Sequence, residues 1–268
     1  MEPVAGARTF GVSGDAYDGF MGRYSRPLAV EFATFAGVVH GLRALDVGCG
    51  PGALTGELVR RLGAAEVAAC DPSEQFVAAC TERHPGVEVR RGAAEELPYG
   101  DGEFDLAAAQ LVLHFVTDPG RAASEFSRVV RPGGVIAACV WDFEQGMEML
   151  RAFWDAALSL DPEAPDEARV LRFGKPGEIA GWLSAAGLHQ ISETTLTVAS
   201  DYRDFDELWT SLLAGIGPAG SYCAGLPDAL RADLREALFG RLGRPGGGFR
   251  LTAVARAARG VLRTEPDA

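Results

Sequence analysis

In the stretch LDVGCGPGALT (residues 45–55) an aspartate stands two residues ahead of the first of three glycines. Gly48, Gly50 and Gly52 allow the backbone to turn sharply and a ligand to approach the main chain with no Cβ between them. Asp46 sets a carboxylate at the root of that turn. A second carboxylate, Asp71, closes the next apolar run, at about the spacing from which an acidic side chain accepts from both hydroxyls of a ribose. An adenosine-bearing cofactor is the ligand class this pattern suits.

Two such classes fit the spacing. Gly48-x-Gly50-x-x-Ala53 nominally matches a dinucleotide fingerprint, in which helix N–H groups hold a pyrophosphate. Asp46, however, would face that pyrophosphate with a like charge, and Pro51 removes one N–H donor from the loop. A ligand carrying an ammonium and a sulfonium has the opposite preference. Charge therefore favours S-adenosylmethionine over a nicotinamide cofactor, and a methyl donor over a hydride donor.

Other groups with chemical potential are sparse. Of the four histidines, His114 follows an apolar run at the height of the glycine loop and is the candidate base or substrate-orienting group. His40, His84 and His189 stand at element edges. Asp142 follows the fifth apolar run and is a further candidate for orienting a substrate. The aromatics Trp154, Phe173, Trp209 and Tyr222 are candidates for the walls of an acceptor pocket, since flat apolar walls suit a flat or greasy small molecule. Five cysteines match no zinc spacing and most sit in apolar segments, as buried thiols in a reducing compartment do. No metal site is expected.

These residues need a scaffold. Residues 43–48, 65–71, 87–92, 104–115 (running into a loop) and 135–143 read as strands, separated by helical patterns over 53–63, 73–84 (capped by Ser73) and 119–134 (closed by Pro132-Gly133-Gly134). A helix over 176–188 leads to strands over 189–200 and 249–262. Strands separated by helices of this length imply right-handed crossovers. The expected fold is α/β: a doubly wound, mostly parallel, seven-stranded Rossmann-like sheet. Residues 1–40 form an N-terminal lid, 41–145 the cofactor-binding core, 146–175 and 201–245 elaborations around the substrate pocket, and 176–200 with 246–262 the closing strands. The 201–245 segment is a polar helical insert before the last strand, and 1–268 form a single domain.

The sequence resembles the class I S-adenosylmethionine-dependent methyltransferases of the small-molecule type-11 kind. LDVGCGPG is similar to their first motif, ACDPS to their ribose-binding strand end, and RGAAEELPYGDGEFDLA to the adenine-binding stretch. LHFVTDPGRAASEFSRVVRPGG is similar to the block that follows, and the resemblance covers about residues 15–142. It implies that Asp46, Gly48 and Gly50 line the methionine end of the cofactor, Asp71 holds the ribose, and Pro72 and Ser73 border the adenosine. It further implies Ala94 and Glu95 at the adenine and Gln110 and Leu111 at the methionine portion. The stretch DAYDGFMGRYSRPLA (15–29) resembles the helix that folds over the cofactor, with Tyr17, Met21 and Arg23 as contacts and Arg23 as partner of the cofactor carboxylate. One position departs: where the family often has an aspartate for the adenine amino group, this chain has Ala93.

Composition limits the partners. The net charge of −12 and the shortness of the one basic cluster, Arg90-Arg91, argue against a nucleic-acid partner. No run of about 18 apolar residues occurs, so no membrane span is expected, and the N-terminus lacks the pattern of a secretory signal. The expectation is a cytoplasmic enzyme that moves a methyl group from S-adenosylmethionine to a small apolar or aromatic metabolite, releasing S-adenosylhomocysteine. The alternatives are a protein that binds the same cofactor for a non-methylating role and, further off, an NAD(P)-dependent oxidoreductase.

Overall fold

The computed structural model describes residues 18–264. Its strands are β1 (Ala44–Val47), β2 (Val67–Asp71), β3 (Glu88–Arg91), β4 (Phe104–Gln110), β5 (Val130–Trp141), β6 (His189–Tyr202) and β7 (Phe249–Val261). They form one sheet in the order β3-β2-β1-β4-β5-β7-β6. From β3 to β5 neighbours run parallel, whereas β7 is antiparallel to both β5 and β6. The helices are α1 (Arg23–Ala36), α2 (Ala53–Leu62), α3 (Glu74–Arg83), α4 (Pro119–Val129), α5 (Glu148–Leu160), the single turn α6 (Glu167–Val170), α7 (Glu178–Ala185), α8 (Phe205–Leu213), α9 (Gly217–Gly225) and α10 (Asp228–Arg241).

The order places β1 between β2 and β4, where successive crossovers leave in opposite directions. In an open parallel sheet this is where a crevice opens beyond the strand ends. The period of two along a strand assigns the side chains. Leu45 and Val47 pack into one buried layer, while Ala44 packs into the other, so Asp46 belongs with Ala44. Runs of alanine in β4 and β5, all buried, leave the sheet thin enough for helices to pack closely on both faces.

Local chemistry starts the helices where the sequence predicts. Ser73 accepts from the Phe76 N–H at 3.4 Å at the head of α3. Asp118 accepts from the Arg121 N–H at 2.9 Å, ahead of Pro119 in the first turn of α4. The end of α4 differs from expectation: it stops at Val129, and β5 begins at Val130. Pro132 lacks an N–H and disfavours helix for the residue before it. The following residues instead enter the sheet through a register shift, where pairing jumps from Phe104↔Val130 to Leu106↔Val135.

The helix expected to fold over the cofactor is α1. It packs against α2 and β6 with Tyr24, Leu28, Phe32 and Ala33 fully buried. The 201–245 insert is polar only on its outer side: Leu208, Leu212, Leu234 and Leu238 are buried, and α10 lies along α5. The five cysteines are all buried and free. Among the described residues no helix is long and apolar enough to cross a membrane, and no cluster of three or more His, Cys, Asp or Glu side chains is arranged to hold a metal.

Candidate functional site

A cleft of about 520 Å³ opens at the ends of β1, β2 and β4, lined by Asp46, Gly48, Gly50, Asp71, Gln110 and Leu111 among others. The turn after β1 is tied down first. Gly48 and Cys49 donate their N–H groups to the Cys70 carbonyl at 2.8 and 2.9 Å. Asp71 then accepts from the Gly50 N–H at 2.9 Å through Oδ2 and from the Ser73 N–H at 2.8 Å through Oδ1. Each of its oxygens keeps a second lone pair for a hydroxyl.

The three glycines have different duties. A Cβ on Gly48 would lie 2.4 Å from a Val112 methyl, and one on Gly52 would lie 2.5 Å from the His84 ring. Those two glycines serve close packing. Gly50 has nothing within 4 Å of where a Cβ would stand, so it is the position that leaves room for a ligand. His84 secures the turn from below, with Nε2 at 3.0 Å from the Gly52 carbonyl oxygen.

Asp46 is only 1% exposed. Its Oδ2 accepts the Thr55 hydroxyl at 2.6 Å, and Thr55 Oγ1 in turn accepts from the Cys80 thiol at 3.6 Å. Burial pushes the Asp46 carboxyl up to about 7, the nearby Asp71 charge adds to the rise, and the Thr55 hydroxyl opposes it. Burial also raises Asp71, against its two N–H donors. Two buried carboxyls at one loop make a site in which a cationic ligand relieves an electrostatic cost and an anionic ligand adds to it.

Two more buried polar atoms in this cleft lack a partner, Gln110 Oε1 and Ser25 Oγ. Gln110 is fixed by its own amide, which donates from Nε2 to the Ser25 carbonyl at 2.9 Å. Unpartnered buried oxygens are uncommon and call for a donor. Leu111 follows Gln110 with a left-handed backbone (φ 63°), a conformation that costs a non-glycine residue of order 1 kcal/mol and collects at functional sites. Pro72 and Ser73 complete the adenosine-side rim.

Several predicted residues stand elsewhere. Arg23 is not in the cleft lining; it pairs with Glu207 at 2.7 Å and lies 3.9 Å over the Tyr202 ring. Neither Ala94 nor Glu95 lines the cleft: Ala94 is buried, and the Glu95 carboxylate accepts from Thr117 N–H and hydroxyl at 2.8 and 2.9 Å. Tyr17 lies outside the described residues. Asp142 is paired with Arg256 at 2.6 Å.

Beside the cleft, sharing Leu111 and Phe115 with it, is a smaller hollow of about 40 Å³. Met21 and His114 line it, together with Trp141, Phe143, Glu167 and Ile216. The Trp141 indole N–H points to Met21 Sδ at 3.2 Å. His114 is held edge-on against Phe115 and Phe143, and burial pushes it down to about 3. A neutral imidazole with so low a proton affinity orients a substrate better than it deprotonates one. The aromatics singled out from sequence do not line the hollow. Trp154 is core and donates to Glu167 at 2.8 Å, and Tyr222 packs on Trp154. Phe173 is buried in the opposite layer, and Trp209 stacks on Phe205.

Known proteins are similar to this chain over the same region. The family described as methyltransferase domain matches residues 45–138, from β1 into β5. A ubiquinone biosynthesis O-methyltransferase of Hahella chejuensis is 31% identical over 60% of this chain and 69% of its own length. The chain belongs to the class I S-adenosylmethionine-dependent methyltransferases. Phthiotriol/phenolphthiotriol dimycocerosates methyltransferase 1 of Mycobacterium ulcerans is 34% identical over 46% of this chain and 45% of its own length. The chain spans about half the length, or less, of the first curated relatives it matches. The crystal structure of YcgJ from Bacillus subtilis shares the fold, with a TM-score of 0.54 at 16% identity over 90% of this chain and 99% of that one.

The site fits the cofactor of this methyltransferase family on its own chemistry. The buried Asp46, the unpartnered Gln110 and Ser25 oxygens and the open space over Gly50 together ask for a ligand with positive charge and N–H donors. Sequence reasoning missed Ser25, His84 and Glu167. Ser25 stood two residues from the arginine singled out in the same helix, and the other two carry no spacing signal.

Proposed function

We propose that this chain transfers a methyl group from S-adenosylmethionine to a small, largely apolar acceptor in the cytoplasm. The observation that carries this is Asp46: a buried carboxyl beneath the glycine turn, hydrogen-bonded by the Thr55 hydroxyl and backbone and with no cation of its own among the described residues. When bound, S-adenosylmethionine supplies an activated methyl group on a sulfonium that departs as a neutral thioether.

In this reading Asp46, Gln110 and Ser25 hold the cationic methionine end, Gly50 admits it, Asp71 holds the ribose hydroxyls, and Pro72 and Ser73 border the adenosine. The chain's main work is alignment: in-line displacement needs the acceptor about 3–3.5 Å from the methyl carbon and water kept away. The aromatic hollow next to Leu111 is the acceptor side, to which residues 146–175 contribute Glu167 and residues 201–245 the first turn of α9. The lack of a basic track favours a small molecule over a nucleic acid.

The test is turnover. Incubation with methyl-labelled S-adenosylmethionine and a panel of small hydroxylated and amino aromatics is expected to give a labelled organic product and one equivalent of S-adenosylhomocysteine. Tight S-adenosylhomocysteine binding with no labelled product from any such acceptor would mean a non-methylating role.

A further inference from the structure

The hollow beside the cleft contains two polar groups that the cofactor does not need. His114 Nδ1 is buried without a hydrogen-bond partner, and His114 itself is 3% exposed. Glu167 is 4% exposed and is held by the Trp154 indole N–H, which donates to Oε2 at 2.8 Å. The rest of the wall is apolar or main chain, including Phe20, Met21, Phe143 and the first turn of α9, apart from the Trp141 indole N–H, which is already turned to Met21 Sδ. That helix begins at Gly217 after Ile216, which provides no side-chain cap, and Pro218 in its first turn has no N–H, so the Gly217 and Ala219 N–H groups are left for another partner.

A buried carboxyl, an unpartnered imidazole nitrogen and an uncapped helix start do not gather in an aromatic hollow for packing. Each costs free energy until a polar guest arrives. At about 40 Å³, the hollow accepts a polar head group, while the body of the molecule extends along the wall that Leu111 and Phe115 share with the cofactor cleft.

We infer that this hollow receives a hydroxyl, phenolic or enolic, that Glu167 takes its proton, and that His114 orients it. As the oxygen–carbon bond forms, the carbon–sulfur bond breaks with its electron pair going to sulfur, and the hydroxyl proton passes to the Glu167 carboxylate. Sulfonium and carboxylate are thereby both neutralised, and charge balances. The α9 helix start supports negative charge building on the oxygen. An amine acceptor fits less well. A carboxylate beside it stabilises the ammonium form, which has no lone pair to attack with.

The surroundings of Glu167 suit this task. Burial raises its carboxyl to about 7, with Asp166 adding and the Trp154 N–H and Arg151 opposing. Arg151 is already engaged by Asp166 at 2.9 Å, so Glu167 has no dedicated cation. A base poised near neutrality is the kind that deprotonates a weak acid well.

The inference rests on the methyl-transfer reading and is tested separately from it. With S-adenosylhomocysteine bound, phenol, anisole and benzylamine are titrated while tryptophan fluorescence is followed, in the wild type and in Glu167→Gln. Phenol is expected to bind saturably, at least 10-fold tighter than anisole, and to lose at least 5-fold in Glu167→Gln, with S-adenosylhomocysteine affinity unchanged. Equal binding of phenol and anisole, preference for benzylamine, or equal phenol affinity in Glu167→Gln would overturn it. The phenol–anisole comparison needs no variant and stands even where Glu167→Gln fails to fold. Loss of S-adenosylhomocysteine binding by the wild type would count against the methyl-transfer reading itself.

Discussion

The Thr55 hydroxyl donates to the Asp46 carboxylate at 2.6 Å, joining the first helix after the glycine turn to the strand before it. Both residues are buried. The bond fixes the Asp46 carboxyl at the base of the cleft and, with the backbone of Thr55, is what opposes the cost of its burial.

Removing that donor exposes the role. Thr55→Val keeps the shape of the side chain and leaves the carboxyl with the Thr55 backbone bond alone, and losing a donor to a buried group costs roughly 1–3 kcal/mol. The variant is expected to unfold at lower denaturant and to bind S-adenosylhomocysteine several-fold more weakly in calorimetry.

Binding should also depend on pH with a definite sign. The free Asp46 carboxyl sits near 7 because of burial, and a cation beside it lowers that value in the complex. Binding therefore releases protons, and affinity rises with pH up to about 7 and levels off above. S-adenosylmethionine binding measured in buffers of different ionisation enthalpy reports this release directly, and Asp46→Asn is expected to abolish most of it. The same raised value means that the ligand-free protein is stabilised below the usual carboxylate range and loses that stability as pH rises through about 7. Asp46→Asn should flatten this part of its melting-temperature profile.

The glycines should separate. Gly52→Ala drives a Cβ to within 2.5 Å of the His84 ring at a φ of 98°, so it is expected to cost roughly 2–3 kcal/mol of stability, with overpacking and left-handed strain both contributing. Gly50→Ala meets nothing and pays only for its φ of 52°, about 1 kcal/mol. It should nevertheless lose more cofactor affinity than its small stability change explains. Denaturant melts and calorimetry on the two variants make the comparison.

Arg23 is expected to matter for stability and not for the cofactor. Its ion pair with Glu207 is partly exposed, at 17% and 24%, and adds at most about 1 kcal/mol. Its stacking on Tyr202 adds a similar amount. Arg23→Ala should therefore lower stability by about 1–2 kcal/mol while changing the dissociation constant of S-adenosylhomocysteine less than about 3-fold. Ser25→Ala should do the reverse.

The contrast between those two residues shows how far the sequence reached. Strand–turn–helix order, the glycine turn and both aspartates were legible because alternation, glycine spacing and charge are local signals. The phase of α1 was not. Arg23 and Ser25 lie two positions apart, on nearly opposite faces of a helix, and only packing against α2 and β6 decides which face meets the cleft. The end of α4 was misplaced by reading Pro132-Gly133-Gly134 as a helix stop, when sheet pairing had already claimed Val130. Trp154 and Tyr222 looked like pocket walls because aromatics serve cores and pockets alike. Glu167, in a segment rich in acidic residues, carried no mark of burial at all.

The central claim is that a buried negative charge under the glycine turn selects a cationic adenosyl ligand. Calorimetric titration of S-adenosylmethionine and NADH into the wild type and Asp46→Asn tests it most directly. Saturable S-adenosylmethionine binding, at least 10-fold weaker in Asp46→Asn, with no NADH binding to the wild type, is the predicted result. Equal affinity in the two proteins, or NADH binding as tightly as S-adenosylmethionine, would contradict it.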